Sequence, residues 1–183
     1  RYTSPMRPLT FSIAMLLTAL APPALPQAEP AAYDVEVIVF RTGADSADAM
    51  GGGSVAAGDD RAPSAATGVA RLMGPLPAAS QRLGPVLARL RAGSGYFPLA
   101  HAGWTQPPSP WGSRSGFPLA RLGIAAEGLS GTAWLERGQY LHLGFSLRFG
   151  QASINEIRRV RPGELNYFDN PAFGVIAVVT VAR

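Results

Sequence analysis

Residues 158–181 read RRVRPGELNYFDNPAFGVIAVVTV. The last nine, residues 173–181 (FGVIAVVTV), decide the fold. In a strand, alternate side chains point to opposite faces, and here both faces are apolar. Such a strand is covered on both sides and lies inside a sheet, not at its rim. Working back from it, Asn170-Pro171 is a turn signal, residues 164–170 form a short extended piece, and Pro162-Gly163 is a second turn. Ile154, Ile157 and Val160 fall at a helical spacing of three, yet their surroundings favour extended chain, so residues 154–161 are read as a bulged strand.

The rest of the chain supplies partners for that strand. Residues 33–41 (YDVEVIVFR) place Val35, Val37 and Val39 on one face, with Ile38 and Phe40 on the other, which predicts a second central strand covered by something. Residues 77–92 carry the one convincing helix: Leu83, Val86, Leu87 and Leu90 form an apolar stripe, and Gly93 is a natural stop. Pro85 either opens a short helix or kinks a longer one. Residues 96–104 read as a short strand, followed by a Pro/Ser/Gly loop flanked by Trp104 and Trp111. Residues 129–149 are the clearest hairpin, with a turn at Arg137-Gly138. In its return strand Leu141, Leu143, Phe145 and Leu147 alternate with His142, Gly144, Ser146 and Arg148, so one face is core and the other is solvated or faces a ligand. The predicted class is α+β: one mostly antiparallel sheet of about five to six strands, first and last strands central, with one main helix packed on it, ferredoxin-like in flavour.

The 183 residues suffice for one domain, expected over residues 29–183. Residues 1–28 read as a secretory signal peptide: Arg7 precedes an apolar core, residues 11–21, that is too short for a bilayer crossing of roughly 20 residues. An uncleaved membrane anchor is the alternative. Residues 42–70 form an Ala/Gly-rich stretch with few large apolar side chains, read as a flexible loop because it cannot bury enough area to offset ordering. There is no cysteine, hence no disulfide and no thiolate nucleophile. Every one of the sixteen basic residues is arginine, which removes P-loop, Schiff-base and Ser-x-x-Lys chemistry. Residues 61–121 hold seven arginines and no acid; facing one way, they would attract a polyanion. Export without cysteine fits a bacterial periplasm, and nucleic acid is set aside as a partner on that ground.

Little in the sequence points to catalysis. Only His101 and His142 are available, no zinc motif appears, and no Gly-x-Ser-x-Gly elbow supports a triad. Glu127, Glu136, Glu156, Glu164 and Asp169 could be paired on paper as a glycosidase couple, but none stands in an apolar run that would raise its pKa. They are read as solvated or paired with arginine. No metal and no cofactor is expected.

Four stretches carry a resemblance: residues 33–40 (YDVEVIVF), residues 99–107 (LAHAGWTQP), residues 140–143 (YLHL) and residues 158–175 (RRVRPGELNYFDNPAFGV). Together they resemble the CsiV family of periplasmic peptidoglycan-binding proteins. Asn166 and Asn170 stand where that family tends to carry histidine, so no role resting on those imidazoles transfers. The resemblance implies a non-catalytic accessory protein that binds peptidoglycan and supports a bifunctional penicillin-binding protein through its lipoprotein activator. The alternative is a protein-interaction module of the cell envelope, docking through a sheet edge or the Trp104–Trp111 loop. A planar guanidinium clasps carboxylates in bidentate fashion, and wall peptide stems carry carboxylates. Arg158, Arg159 and Arg161 are therefore the candidate ligand-binding residues, with Tyr167 or Trp104 as the surface for a sugar. In a purely structural role, Arg158 and Arg159 would instead hold Glu164 or Asp169.

Overall fold

A strand that is greasy on both faces needs cover on both, and three layers supply it. The computed structural model describes residues 31–43 and 72–183. Along the chain come β1 (Tyr33–Thr42), β2 (Gly74–Pro75), a 3-10 turn at Ala78–Ser80, α1 (Gly84–Ala92), β3 (Tyr96–Gln106), β4 (Ser109–Pro110) and β5 (Phe117–Pro118). After a second 3-10 turn at Leu119–Leu122 follow β6 (Leu129–Arg137), β7 (Leu141–Phe149), β8 (Ala152–Arg159), β9 (Leu165–Asn170) and β10 (Phe173–Val181).

The first sheet has the order β2-β3-β1-β10-β9, antiparallel throughout. The opening and closing strands lie side by side at its centre, Val37 opposite Ala177. The second sheet has the order β4-β6-β7-β8, with β5 also on β6; only the β4–β6 pair is parallel. The two sheets stack. Val35, Val37, Val39, Val175, Ala177 and Val179 share one core with Leu135, Leu143, Phe145, Leu147 and Ile154. Across the gap Phe145 meets Phe168 edge-on with centroids 4.8 Å apart, and Phe149 meets Phe173 at 5.8 Å. On the far side of the first sheet, Ile38 and Val178 pack with Leu83, and Val86, Leu87 and Leu90 of α1 close over them. Each such fully buried side chain contributes about 1.5–3 kcal/mol. The order of layers is thus α1, first sheet, second sheet, and no helix among the described residues packs on the outer face of the second sheet.

The predicted α+β class with mostly antiparallel strands and one packed helix agrees with this architecture. The single ferredoxin-like sheet of about five to six strands does not: ten strands divide between two stacked sheets. The amphipathic hairpin β6–β7 has an apolar face of its own. It buries that face against the first sheet instead of extending it sideways, and alternation alone does not distinguish the two outcomes. Pro85 opens a short helix, because its ring and missing N–H forbid a preceding helical turn. The bulge expected in residues 154–161 is absent: β8 keeps unbroken register with β7. Ile154 faces the core, Ile157 the opposite side, and Val160 returns to the core beyond the strand, its N–H bound to the Leu141 carbonyl at 2.9 Å. The one register shift lies between Val39 and Phe40, against β3. The expected leader at residues 1–28 lies outside the described residues. So does most of the expected loop at 42–70; Thr42 of that range closes β1. No helix among the described residues is long and apolar enough to cross a membrane.

Candidate functional site

The outer face of the second sheet, away from the first, is where polar and aromatic side chains collect. Period two puts Glu136, His142 and Arg159 in one row across β6, β7 and β8, with Trp134, Gly144 and Ile157 in the next. Glu136 is fully buried and anchors the row. Its carboxylate accepts the backbone N–H of Gly112 at 3.0 Å and that of Arg114, and the Arg114 guanidinium lies 3.6 Å away. A buried carboxylate without such donors would be costly, so the loop between β4 and β5 is drawn onto the sheet by the charge it satisfies. Arg114 adopts a left-handed backbone, φ 51°, which is uncommon outside glycine and reflects the tight wrap around Glu136.

The clamp fixes what the loop displays. Trp111 rests against His142, ring centroids 4.1 Å apart and tilted by 39°, with half of the indole exposed. His142 is itself fixed: Nδ1 donates to the Tyr140 carbonyl oxygen at 3.0 Å, which leaves Nε2 of the neutral ring as an acceptor. The Arg159 guanidinium lies over the Tyr140 ring, 3.4 Å from its centroid. The Arg114 guanidinium sits 5.7 Å from both the Trp111 and Trp134 rings. Trp134 lies over Gly144, where a Cβ would come within 2.3 Å of the indole, so only glycine admits it. The result is a shelf of rings and guanidinium groups whose one carboxylate is already occupied.

The five predicted ligand residues do not form one site. Arg159 joins the shelf. Arg158, next in sequence, points the opposite way: its guanidinium lies 5.3 Å from the Phe168 ring at the margin of the core and pairs with Glu156. Arg161 is exposed beside Glu164, 3.5 Å away. The acids expected to hold Arg158 and Arg159 were Glu164 and Asp169; Arg158 takes Glu156 instead, and Arg159 makes no ion pair among the described residues. Trp104 offers no surface to a sugar. It is 1% exposed between the sheets, its N–H bound to Gln106 at 2.7 Å. Tyr167 lies on the outer face of the first sheet, stacked 6.1 Å from Phe40, and is separated from the shelf by the full thickness of the two sheets. Burial, then the charges of Asp169 and Tyr96, raises its phenol above the ordinary tyrosine value.

The arginine-rich run is divided as well. Arg89 and Arg91 ride on α1, Arg114 belongs to the shelf on the opposite side, and Arg61 and Arg71 lie outside the described residues. Of the carboxylates considered for catalysis, Glu156 and Glu164 pair with arginine and Glu136 is occupied by the loop. A groove of about 560 Å³ opens between the Leu119–Leu122 turn and the start of β6, with Glu127 as its one ionisable lining residue. No group of three or more His, Asp or Glu among the described residues is arranged to hold a metal ion.

Sequence reasoning put Tyr140 and His142 in one alternating polar set and noted Trp111 beside a loop, but it missed Arg114 and Glu136 as their companions. Only the fold brings the loop between β4 and β5 onto β6. Comparison of the chain with protein-family models, with curated proteins and with solved structures finds no match in any of the three.

Proposed function

We propose that this chain is a non-catalytic periplasmic peptidoglycan-binding accessory protein. In this reading it supports cell-wall synthesis by a bifunctional penicillin-binding protein and its lipoprotein activator. The observation that carries the binding role is the outer face of the second sheet, where Trp111, Tyr140 and His142 stand beside the guanidinium groups of Arg114 and Arg159. Rings offer flat apolar faces to sugars, and guanidinium groups offer paired donors to the carboxylates of wall peptides. Location in the periplasm rests on residues 1–28, read as a leader, and the link to a synthase rests on the resemblance of the four sequence stretches.

The test is co-sedimentation with purified sacculi across a salt series. The protein pellets with sacculi at low salt and is released as salt rises, because exposed charge contacts are screened. Failure to pellet at low salt removes the reading. The second reading, an envelope protein-interaction module with no direct glycan binding, draws on the exposed Tyr96, Leu165 and Tyr167 on the first sheet. A pull-down that retains the synthase activator while sacculi leave the protein in solution selects it.

A further inference from the structure

Within that reading, on which this inference rests, the shelf is specific enough to name what it holds. We infer that it is a subsite for a carboxylate-bearing sugar: the sugar ring lies on the exposed face of Trp111, and its acid group is taken by Arg159 and Arg114.

Three observations converge on this occupant. First, Trp111 is backed by His142 on one side and remains half exposed, so it is a rigid indole with a free face. A ring already immobilised by packing loses little freedom when a ligand stacks on it. Second, Arg159 is held by its own flat face against Tyr140. Stacking consumes the face of a guanidinium and leaves the N–H fork at its edge for a planar oxyanion. Arg158 and Arg161 have carboxylate partners nearby, whereas Arg159 has none among the described residues. Third, the charge of the only acid in the row, the fully buried Glu136, is offset by the Arg114 guanidinium 3.6 Å away, which leaves the charge of Arg159 uncompensated. The local field is therefore positive beside an open ring, which is complementary to an acidic sugar and indifferent to a neutral one.

Single-stranded nucleic acid also stacks on rings beside arginines. It asks for a groove of cations that follows several phosphates and for successive rings to take successive bases. The shelf has one exposed indole with the Arg114 guanidinium beside it, and the second exposed ring, Tyr140, has Arg159 on one face. One open ring face beside the arginines suits one sugar and one acid group better than a run of bases.

The experiment measures binding of soluble ligands to the full chain by calorimetry. The probes are an N-acetylglucosamine–N-acetylmuramic acid disaccharide, the same disaccharide with its carboxyl amidated, chitobiose, and a single-stranded oligonucleotide. The free acid binds about tenfold or more tightly than the amide or chitobiose, the scale of one charge-assisted hydrogen bond. Arg159→Gln erases that preference, Trp111→Ala weakens acid and amide alike, and Arg158→Gln, on the other face of β8, changes neither. Where Trp111→Ala fails to fold, as judged by its melting transition, Trp111→Leu and Arg159→Gln carry the test. Equal affinity for acid and amide, an effect of Arg158→Gln as large as that of Arg159→Gln, or tighter binding of the oligonucleotide overturns the inference. The two proposals fail separately. Sacculi stripped of their stem peptides, whose muramic acid carboxyls are free, leave the wall-binding reading standing and remove the subsite if wild type and Arg159→Gln bind them equally. Acid-selective disaccharide binding without sacculus binding does the reverse.

Discussion

At the scale of single residues, the fold places two buried glutamates where each gathers backbone donors, and they do different jobs. Glu136 holds a loop, and through it Trp111 and Arg114, against the second sheet. Glu136→Gln replaces one acceptor with a donor facing other donors. It is expected to cost about 1–3 kcal/mol, read as a shift in denaturation midpoint, and to raise the mobility of Trp111 in fluorescence anisotropy. An unchanged midpoint and anisotropy would show that the loop holds itself. Tyr167 provides the titration. Its phenol is raised above the ordinary tyrosine value of 10.0, chiefly by burial. The neutral form is therefore favoured in the folded state. That contribution is complete below the unfolded value and is lost as pH climbs through the folded one. Tyr167→Phe should flatten the alkaline loss of stability while leaving neutral-pH behaviour close to wild type. An identical alkaline profile in the two proteins would count against it.

At the scale of elements, Glu36 does for α1 what Glu136 does for the loop. Projecting from β1, it accepts the N–H of Arg82 at 2.6 Å and of Leu83 at 2.9 Å, and pairs with His101 Nε2 at 2.7 Å. Leu83 is the N-cap of a helix that has no capping side chain of its own, so a sheet carboxylate satisfies donors that would otherwise be orphaned. Glu36→Gln should lower amide protection in α1 selectively and leave β1 and β10 protected. Uniform loss across the molecule would mean that the helix and sheet open together. Which elements were legible follows from what each one is made of. β1, β7 and β10 announce themselves by alternation or by two apolar faces, because a pleated strand exposes every second residue to the same environment. The stacking of one sheet on another was not legible, since an amphipathic strand reads the same whether its partner lies beside it or below it. The two-residue strands β4 and β5 have no periodicity to read. Within the candidate site, His142 was visible as the polar half of an alternating strand. Arg158 and Arg159 were grouped by adjacency, although period two already sends neighbours in a strand to opposite faces. Glu136 and Arg114 were beyond reach because their partnership crosses from a strand to a loop twenty-odd positions earlier in the chain.

At the scale of the whole molecule, the two sheets depend on each other for their shared core, and the first sheet depends on β10 for its middle. A chain ending before residue 173 would leave β1 without one of its two neighbours and the inner face of the second sheet without Phe173, Val175, Ala177 and Val179. Such a shortened chain is expected to show no cooperative thermal transition and to bind hydrophobic dye. A sharp transition in it would mean that the second sheet folds by itself. Among the described residues the arginine-rich run is spread over opposite outer faces, so it forms no single cationic surface.

The pairing of β1 with β10 also sets a timetable. During synthesis the residues of β1 emerge long before their central neighbour β10, because Val37 awaits Ala177 and Tyr33 awaits Val181. Contacts so distant along the sequence close slowly, since a long loop must be ordered before they form. Until residues 173–181 have been made, β1 can close only the β3 side of its ladder, and the middle of the first sheet waits with one flank open.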